Sequence, residues 1–344
     1  MKKIFLIGLT AAAMMASCSN DETVEMAQQK AISFSNAFVN NGTRSIVDPS
    51  FTTENLTDFA VYGFTQNGQI FNGDKVSKGG SASTGWSYAN LQYWVPGNTY
   101  TFGAIAPHSV AANVSGVALP ENATKVEMEV AFTNTDAKQV DLLHAAPSQI
   151  TGVTATYTTP VSMTFNHQLS KVKFSFANAV GAGYNVKVSN VKITDAFKEG
   201  TLTVAAGNTW DNQTDKTLEL NFGNVVADGA TADEAAVIAN AATLESYNEK
   251  LMIPMGSSAK YTVTFTAELY KGDVLLGTYN HRVEIKNVEF KLGYCYDFKA
   301  SLTHKNITAE DELNPIEFAV TKVEDWNKAD VDKGLNVPTT QSGI

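Results

Sequence analysis

Apolar and polar residues alternate with a period of two along most of this 344-residue chain, and this pattern constrains the fold more than any other feature. Val126, Met128, Val130 and Phe132 share one face, and Val172, Phe174 and Phe176 share another, opposite Lys171, Lys173 and Ser175. Tyr261, Val263, Phe265, Ala267 and Leu269 repeat the pattern, as do Tyr294, Tyr296, Phe298, Ala300 and Leu302. Successive side chains of a strand point to opposite faces, so such runs read as half-buried antiparallel strands. Turn clusters separate them, among them Gln66-Asn67-Gly68, Lys78-Gly79-Gly80-Ser81 and Lys271-Gly272-Asp273. Their spacing suits a β-sandwich rather than a parallel sheet. One helix is expected as an excursion between strands: Thr231 and Glu234 form a capping box before an alanine-rich stretch to about Ala242. The expected class is therefore all-β, with at most that short helix.

With 44% hydrophobic residues the chain can fill two cores, and its length suits two domains. A boundary is expected near Phe165, where a Thr-rich stretch gives way to new strands, giving domains over 45–165 and 166–344. No transmembrane helix or coiled-coil heptad is present in the sequence.

The first residues read as an address. Lys2 and Lys3 precede an apolar run from Ile4 to Ala13, and small residues lead to Cys18 in Met15-Ala16-Ser17-Cys18. That layout reads as a lipoprotein signal over 1–17 with Cys18 as the residue to be acylated, by fatty chains such as palmitate; the rival reading is an ordinary secretory signal with an incidental cysteine. The run is too short to span a bilayer, which takes about 20 apolar residues, so the membrane is contacted only through lipid on Cys18. Ser19-Asn20-Asp21-Glu22 resembles the surface-export signal of Bacteroidota lipoproteins. Without Lys2 and Lys3 the mature chain sets 23 basic against 35 acidic residues. A balance of about −12 with no basic cluster argues against a nucleic-acid partner. Cys295 is the only other cysteine, so no intramolecular disulfide framework is expected.

Catalysis finds little support, and no cofactor or metal is expected. His108, His144, His167, His281 and His304 stand singly, none at a metal-ligand spacing with Cys, Asp or Glu. His167, at a strand start, reads as a structural hydrogen-bonding residue. Cys295 lacks a basic helper and reads as a buried thiol. No nucleophile elbow, phosphate loop or dinucleotide fingerprint occurs.

Near the expected boundary, Phe165-Asn166-His167-Gln168-Leu169-Ser170-Lys171-Val172 resembles the Phe-x-His-x-Leu-Ser-Lys-Val motif of fimbrillin-like proteins from Bacteroidota. Tyr93-Trp94, Tyr100-Thr101-Phe102, Pro107, Val140-Asp141-Leu142-Leu143 and Val323-Glu324-Asp325-Trp326 agree with it in order, and together they span most of the mature chain. The resemblance implies two transthyretin-like β-sandwich domains and a stalk, tip or anchor subunit of a type V pilus. It also implies a surface lipoprotein precursor, removal of a leading segment by an arginine-specific protease, and polymerisation with other pilus subunits by strand exchange.

Thr23 to Lys30 suits a tether, and Ile32, Phe34 and Phe38 alternate with polar or small residues as in a strand. The turn-rich Asn40-Asn41-Gly42-Thr43-Arg44-Ser45 offers one arginine, so cleavage between Arg44 and Ser45 would release tether and strand together. Loss of an edge strand leaves unpaired backbone beside an uncovered core stripe, which another strand can fill. Two donor stretches stay open: Ile316, Phe318 and Val320, or the tail with Leu335 and Val337. A permanent first strand is the plain alternative. A processing site argues against a lipidated anchor; the long tail favours a stalk, and a tip subunit shares both features. The rival of another class is a lipidated glycan binder, because Trp86, Tyr88, Tyr93 and Trp94 crowd into nine residues. An adhesive pilus subunit, as the resemblance implies, would take a ligand on a host or bacterial surface.

Overall fold

The computed structural model describes residues 30–39, 56–79, 85–230, 234–255, 260–307 and 316–325. Cys18, Arg44, Ser45, Leu335 and Val337 lie outside the described residues.

Among the described residues, twenty-one strands form four sheets. The first runs in the order β1 (Phe34–Val39), β9 (Val161–His167), β8 (Leu143–Ala145), β5 (Tyr100–Ala106), β2 (Asp58–Thr65), β3 (Gly68–Lys78) and β4 (Trp86–Ser87). The second is β15 (Val225–Val226), β16 (Thr243–Ser246), β10 (Ser170–Asn178), β20 (Tyr294–Leu302) and β21 (Phe318–Asp325), with β17 (Lys250–Met252) also on β10. The third is β14 (Leu218–Gly223), β11 (Tyr184–Ala196), β18 (Tyr261–Lys271) and β19 (Val274–Ile285). The fourth is β13 (Thr209–Asp211), β12 (Glu199–Val204), β7 (Glu127–Thr133) and β6 (Val114–Ala118).

Three apolar clusters hold these sheets together. Phe174, Phe176 and Phe298 of the second sheet meet Val188, Phe222, Val263 and Phe265 of the third. One face of the first sheet encloses its own core of Phe34, Phe59, Phe71, Phe102 and Phe165, and its other face, with Ala60, Tyr62 and Ile105, packs on Met128, Val130 and Leu202 of the fourth. β2 and β5 are thus covered on both sides, and all seven residues of β5 are buried.

The fold is all-β, as the alternation predicts, with departures in pairing direction, in the expected helix and in the burial of β10. Pairing is antiparallel except for β1 on β9 and β10 on β20, which are parallel. The described part of the expected helix, from Glu234 to Ala242, is not helical: Ile238 makes a β-bridge to Val186 that both caps a core and satisfies its backbone. The one helix among the described residues is a 3-10 turn at His108–Asn113. Near the expected boundary, β9 runs through Phe165 to His167, and β12 and β13 cross back to pair with β7. Finally, Lys171, Lys173 and Ser175 are buried, because β10 is central in its sheet and their partners Glu249, Glu245 and Asp297 flank them.

Candidate functional site

The segment from Lys30 to β1 fits between two strips of backbone. On one side Ile32 N–H donates to Gln92 O (2.7 Å), Trp94 N–H donates to Lys30 O (2.9 Å), and Ala31 bridges Tyr93 antiparallel. On the other, Val161 N–H donates to Ser33 O (2.7 Å), and Phe34 and Ser35 run parallel to Val161 and Ser162. The Tyr88 hydroxyl donates to Ile32 O at 2.7 Å. Burial raises the pKa of that phenol, which keeps it a donor.

Side chains fill the slot as tightly as the backbone spans it. Ile32 is 1% and Phe34 4% exposed. The Phe34 ring meets Phe59 (5.9 Å), Phe71 (5.8 Å), Tyr88 (5.6 Å) and Phe102 (6.1 Å), all near edge-on, the arrangement aromatic quadrupoles prefer. Gly63 makes room beneath: a Cβ there would stand 2.9 Å from Phe71 and 3.0 Å from Phe102. A bulge between Ser35 and Phe38 sets Phe38 opposite Thr164, which interrupts the regular alternation expected from Ile32 through Phe38.

At the other end of the chain, β21 closes an edge of the second sheet, with Phe318 opposite Ala300 and Val320 opposite Phe298. Ile316 is buried, and the Phe318 ring lies 5.2 Å from Phe174 and 5.8 Å from Phe176. Ile316, Phe318 and Val320 therefore belong to the second core in this state of the chain.

The aromatic cluster does not form a flat platform. Trp94 is buried against Tyr100 (4.7 Å) and Tyr157 (4.8 Å), Trp86 lies on Phe59 (5.1 Å), and Tyr88 faces Phe34. Of the four rings only Tyr93 is largely exposed. Among the described residues no group of His, Cys, Asp and Glu could hold a metal.

The motif from Phe165 onward is the strut between the first and second sheets. Phe165 enters the first core, His167 Nδ1–H donates to Asp141 Oδ2 at 2.8 Å, and Leu169 enters the core shared with the fourth sheet. Ser170 Oγ–H donates to Lys291 O at 2.8 Å, Lys171 pairs with Glu249 at 3.4 Å, and Lys173 pairs with Glu245 at 2.8 Å. Burial alone would lower the Lys173 pKa, yet the Glu245 hydrogen bond and the nearby Asp297 and Glu249 carboxylates leave it raised. Each polar residue of the motif thus carries a partner that lets it sit inside. Cys295 is buried in the same shared core.

The family model for fimbrillin-like proteins matches residues 43–326. This chain belongs to the fimbrillin-like family. Among solved structures, the fimbrillin-like chain resembles a fimbrial protein from Bacteroides vulgatus, with a TM-score of 0.59 and 15% identity over 86% of this chain and 99% of that one. A fimbrilin from Porphyromonas gingivalis matches at a TM-score of 0.44 and 10% identity, covering 89% of this chain and 100% of that one. No protein of curated function matches the sequence significantly. Membership makes this fimbrillin-like chain a cell-surface fimbrial protein.

Sequence reasoning missed the second wall of the slot. Tyr88, Gln92 and Trp94 were legible only as an aromatic cluster, since their service to β1 depends on a contact some 60 residues away in sequence.

Proposed function

We propose that the chain is a structural subunit of a surface fimbrium, exported as a lipoprotein acylated on Cys18, cut after Arg44, and polymerised when a neighbouring subunit's strand takes the place of β1. The observation that carries this reading is the slot itself. Ile32 and Phe34 fill an aromatic pocket in a segment bonded by backbone on both sides, and both lie on the N-terminal side of Arg44. Cutting the Arg44–Ser45 bond by an arginine-specific protease makes β1 a separate, exchangeable ligand of the body it fills.

Vacating the slot uncovers two large apolar side-chain sites, each worth about 1.5–3 kcal/mol of burial. That cost favours refilling by another strand. The donor is the tail beyond Lys333, whose Leu335 and Val337 repeat the i, i+2 spacing of Ile32 and Phe34. β21 is the poorer donor, because withdrawing Phe318 would uncover Phe174 and Phe176.

The test is Arg44→Ala in cells that make the fimbrium. The variant is expected to reach the surface folded and lipidated, with no ladder of stable multimers, while the parent's mature chain begins at Ser45. Normal filaments from the variant, or a parent chain beginning at Cys18, would overturn the reading.

A further inference from the structure

Eight large apolar side chains stand exposed among the described residues, and six of them gather in two clusters. Leu91 (53%), Tyr93 (43%) and Val95 (40%) alternate along the strip that bridges Ala31, while the intervening Gln92 and Trp94 serve the slot. Val274 (65%), Leu275 (48%) and Leu276 (49%) open β19, the unpaired edge of the third sheet. Isolated exposed apolar residues are ordinary, whereas three together on a sheet edge mark a contact surface.

The two clusters sit at opposite ends of the chain's fold. The link from β9 to β10 consists of Gln168 and Leu169. Tyr93 and Val95 lie by Tyr100, whose backbone pairs with Ile150 at the end of β5 away from that link; Ala106, at the other end, aligns through Leu143 with His167. Val274 pairs with Lys271, which lies opposite Tyr184, and Tyr184 O accepts from Asn178 at the far end of β10. Two different apolar patches at opposite ends cannot satisfy each other within one molecule. They can do so between copies, and head-to-tail pairing of unlike patches generates an open filament rather than a closed dimer.

We infer that Val274–Leu276 of one copy docks on Leu91, Tyr93 and Val95 of the next, a body-to-body contact beside the strand-exchange slot. The inference rests on the polymeric reading above. Its position explains why the strip has two faces: the inner residues hold the strand, and the outer ones receive the neighbouring subunit. The contact would add apolar burial to a junction otherwise held by a single strand, and would fix the orientation of one subunit on the next.

Paired cysteines test it in the full chain. Leu91→Cys with Leu276→Cys is expected to give an intermolecular disulfide ladder under mild oxidation, the single variants none, and a mixture of the two singles a dimer. Leu91→Asp and Leu276→Asp, both on exposed positions, are expected to slow polymerisation at least tenfold with unchanged processing at Ser45. Multimers that form at the parental rate without cross-linking would overturn the contact and leave strand exchange standing. Cross-linking in a chain that is never cut at Arg44 would keep the contact and overturn strand exchange. Neither cross-linking nor processing would overturn both.

Discussion

Phe34 is the residue on which the first core and the proposed exchange both turn. Its ring touches four others, of which Phe71 also meets Tyr88 at 5.3 Å and Phe102 at 6.2 Å. Phe34→Ala in the uncut chain is expected to lower stability by about 3–5 kcal/mol, since the surrounding strands cannot collapse on the void. Urea unfolding reads this directly; a loss under about 1 kcal/mol would show that the slot does not depend on its ring. His144 supplies a pH signature. It is buried on β8, accepts at Nδ1 from Asn208 Nδ2 at 3.1 Å, and burial, with Lys125 adding, lowers its pKa to about 4. Below about pH 6.5 the unfolded chain therefore takes up a proton that the folded chain refuses. Stability falls as pH drops from there to about 4, then levels, with a total near 3 kcal/mol. His144→Gln should flatten that part of the profile in urea titrations across this range, whereas an unchanged slope would exclude His144 as its source.

At the scale of elements, the strand proposed to leave and the strand that links are built differently. The segment from Lys30 through β1 depends on Ile32 and Phe34 and on backbone pairing with Gln92 and Tyr93–Trp94 on one side and β9 on the other, and β1 carries a bulge that weakens regular pairing. β10 is anchored along its whole length by Phe174 and Phe176 on one face and by Lys171, Lys173 and Ser175 on the other, where Ser175 Oγ–H donates to Asp297 at 2.8 Å. Removing one member of a buried ion pair such as Lys171–Glu249 costs about 3–5 kcal/mol, so β10 is a poor candidate for exchange and β1 a better one. The tail is tested by truncation. Ending the chain at Lys333 is expected to leave the melting temperature within about 2 °C, a shift of under 1 kcal/mol for a chain of this size, while polymerisation is lost. A large drop in melting temperature would instead assign the tail to the folded core.

The halves of the molecule are stitched as well as packed. Asn134 Nδ2 and Gln139 Nε2 both donate to Leu251 O, at 2.8 and 2.9 Å, and Gln139 Oε1 accepts from Leu251 N–H at 2.7 Å. Asp136 meets Lys250 at 2.8 Å and accepts from Asn221 N–H at 2.7 Å. A core that draws Leu169, Leu251 and Cys295 onto the first and fourth sheets joins the halves along the same seam. Calorimetry is expected to show a single transition, and Gln139→Ala to lose about 1–3 kcal/mol by leaving Leu251 N–H unpaired, splitting the transition in two. Two transitions in the parent chain would remove the seam as a coupling device.

Alternation along single strands was enough to read the all-β class, the strands around Phe132, Phe174, Phe265 and Phe298, and the apolar face of Ile32 and Phe34, because a strand's faces repeat every two residues whatever its partner. The motif at Phe165 was legible as a family resemblance and His167 as a structural donor. What tertiary structure alone decided is every property set by a partner distant in sequence. The parallel pairing of β1 with β9, the burial of Lys171 and Lys173, the conversion of the expected helix near Ile238 into a bridge, and the second wall supplied by Gln92 and Trp94 all depend on such partners. Local pattern states which side chains seek a core; only the assembled sheets determine which strand lies beside which, and so which strand can be replaced.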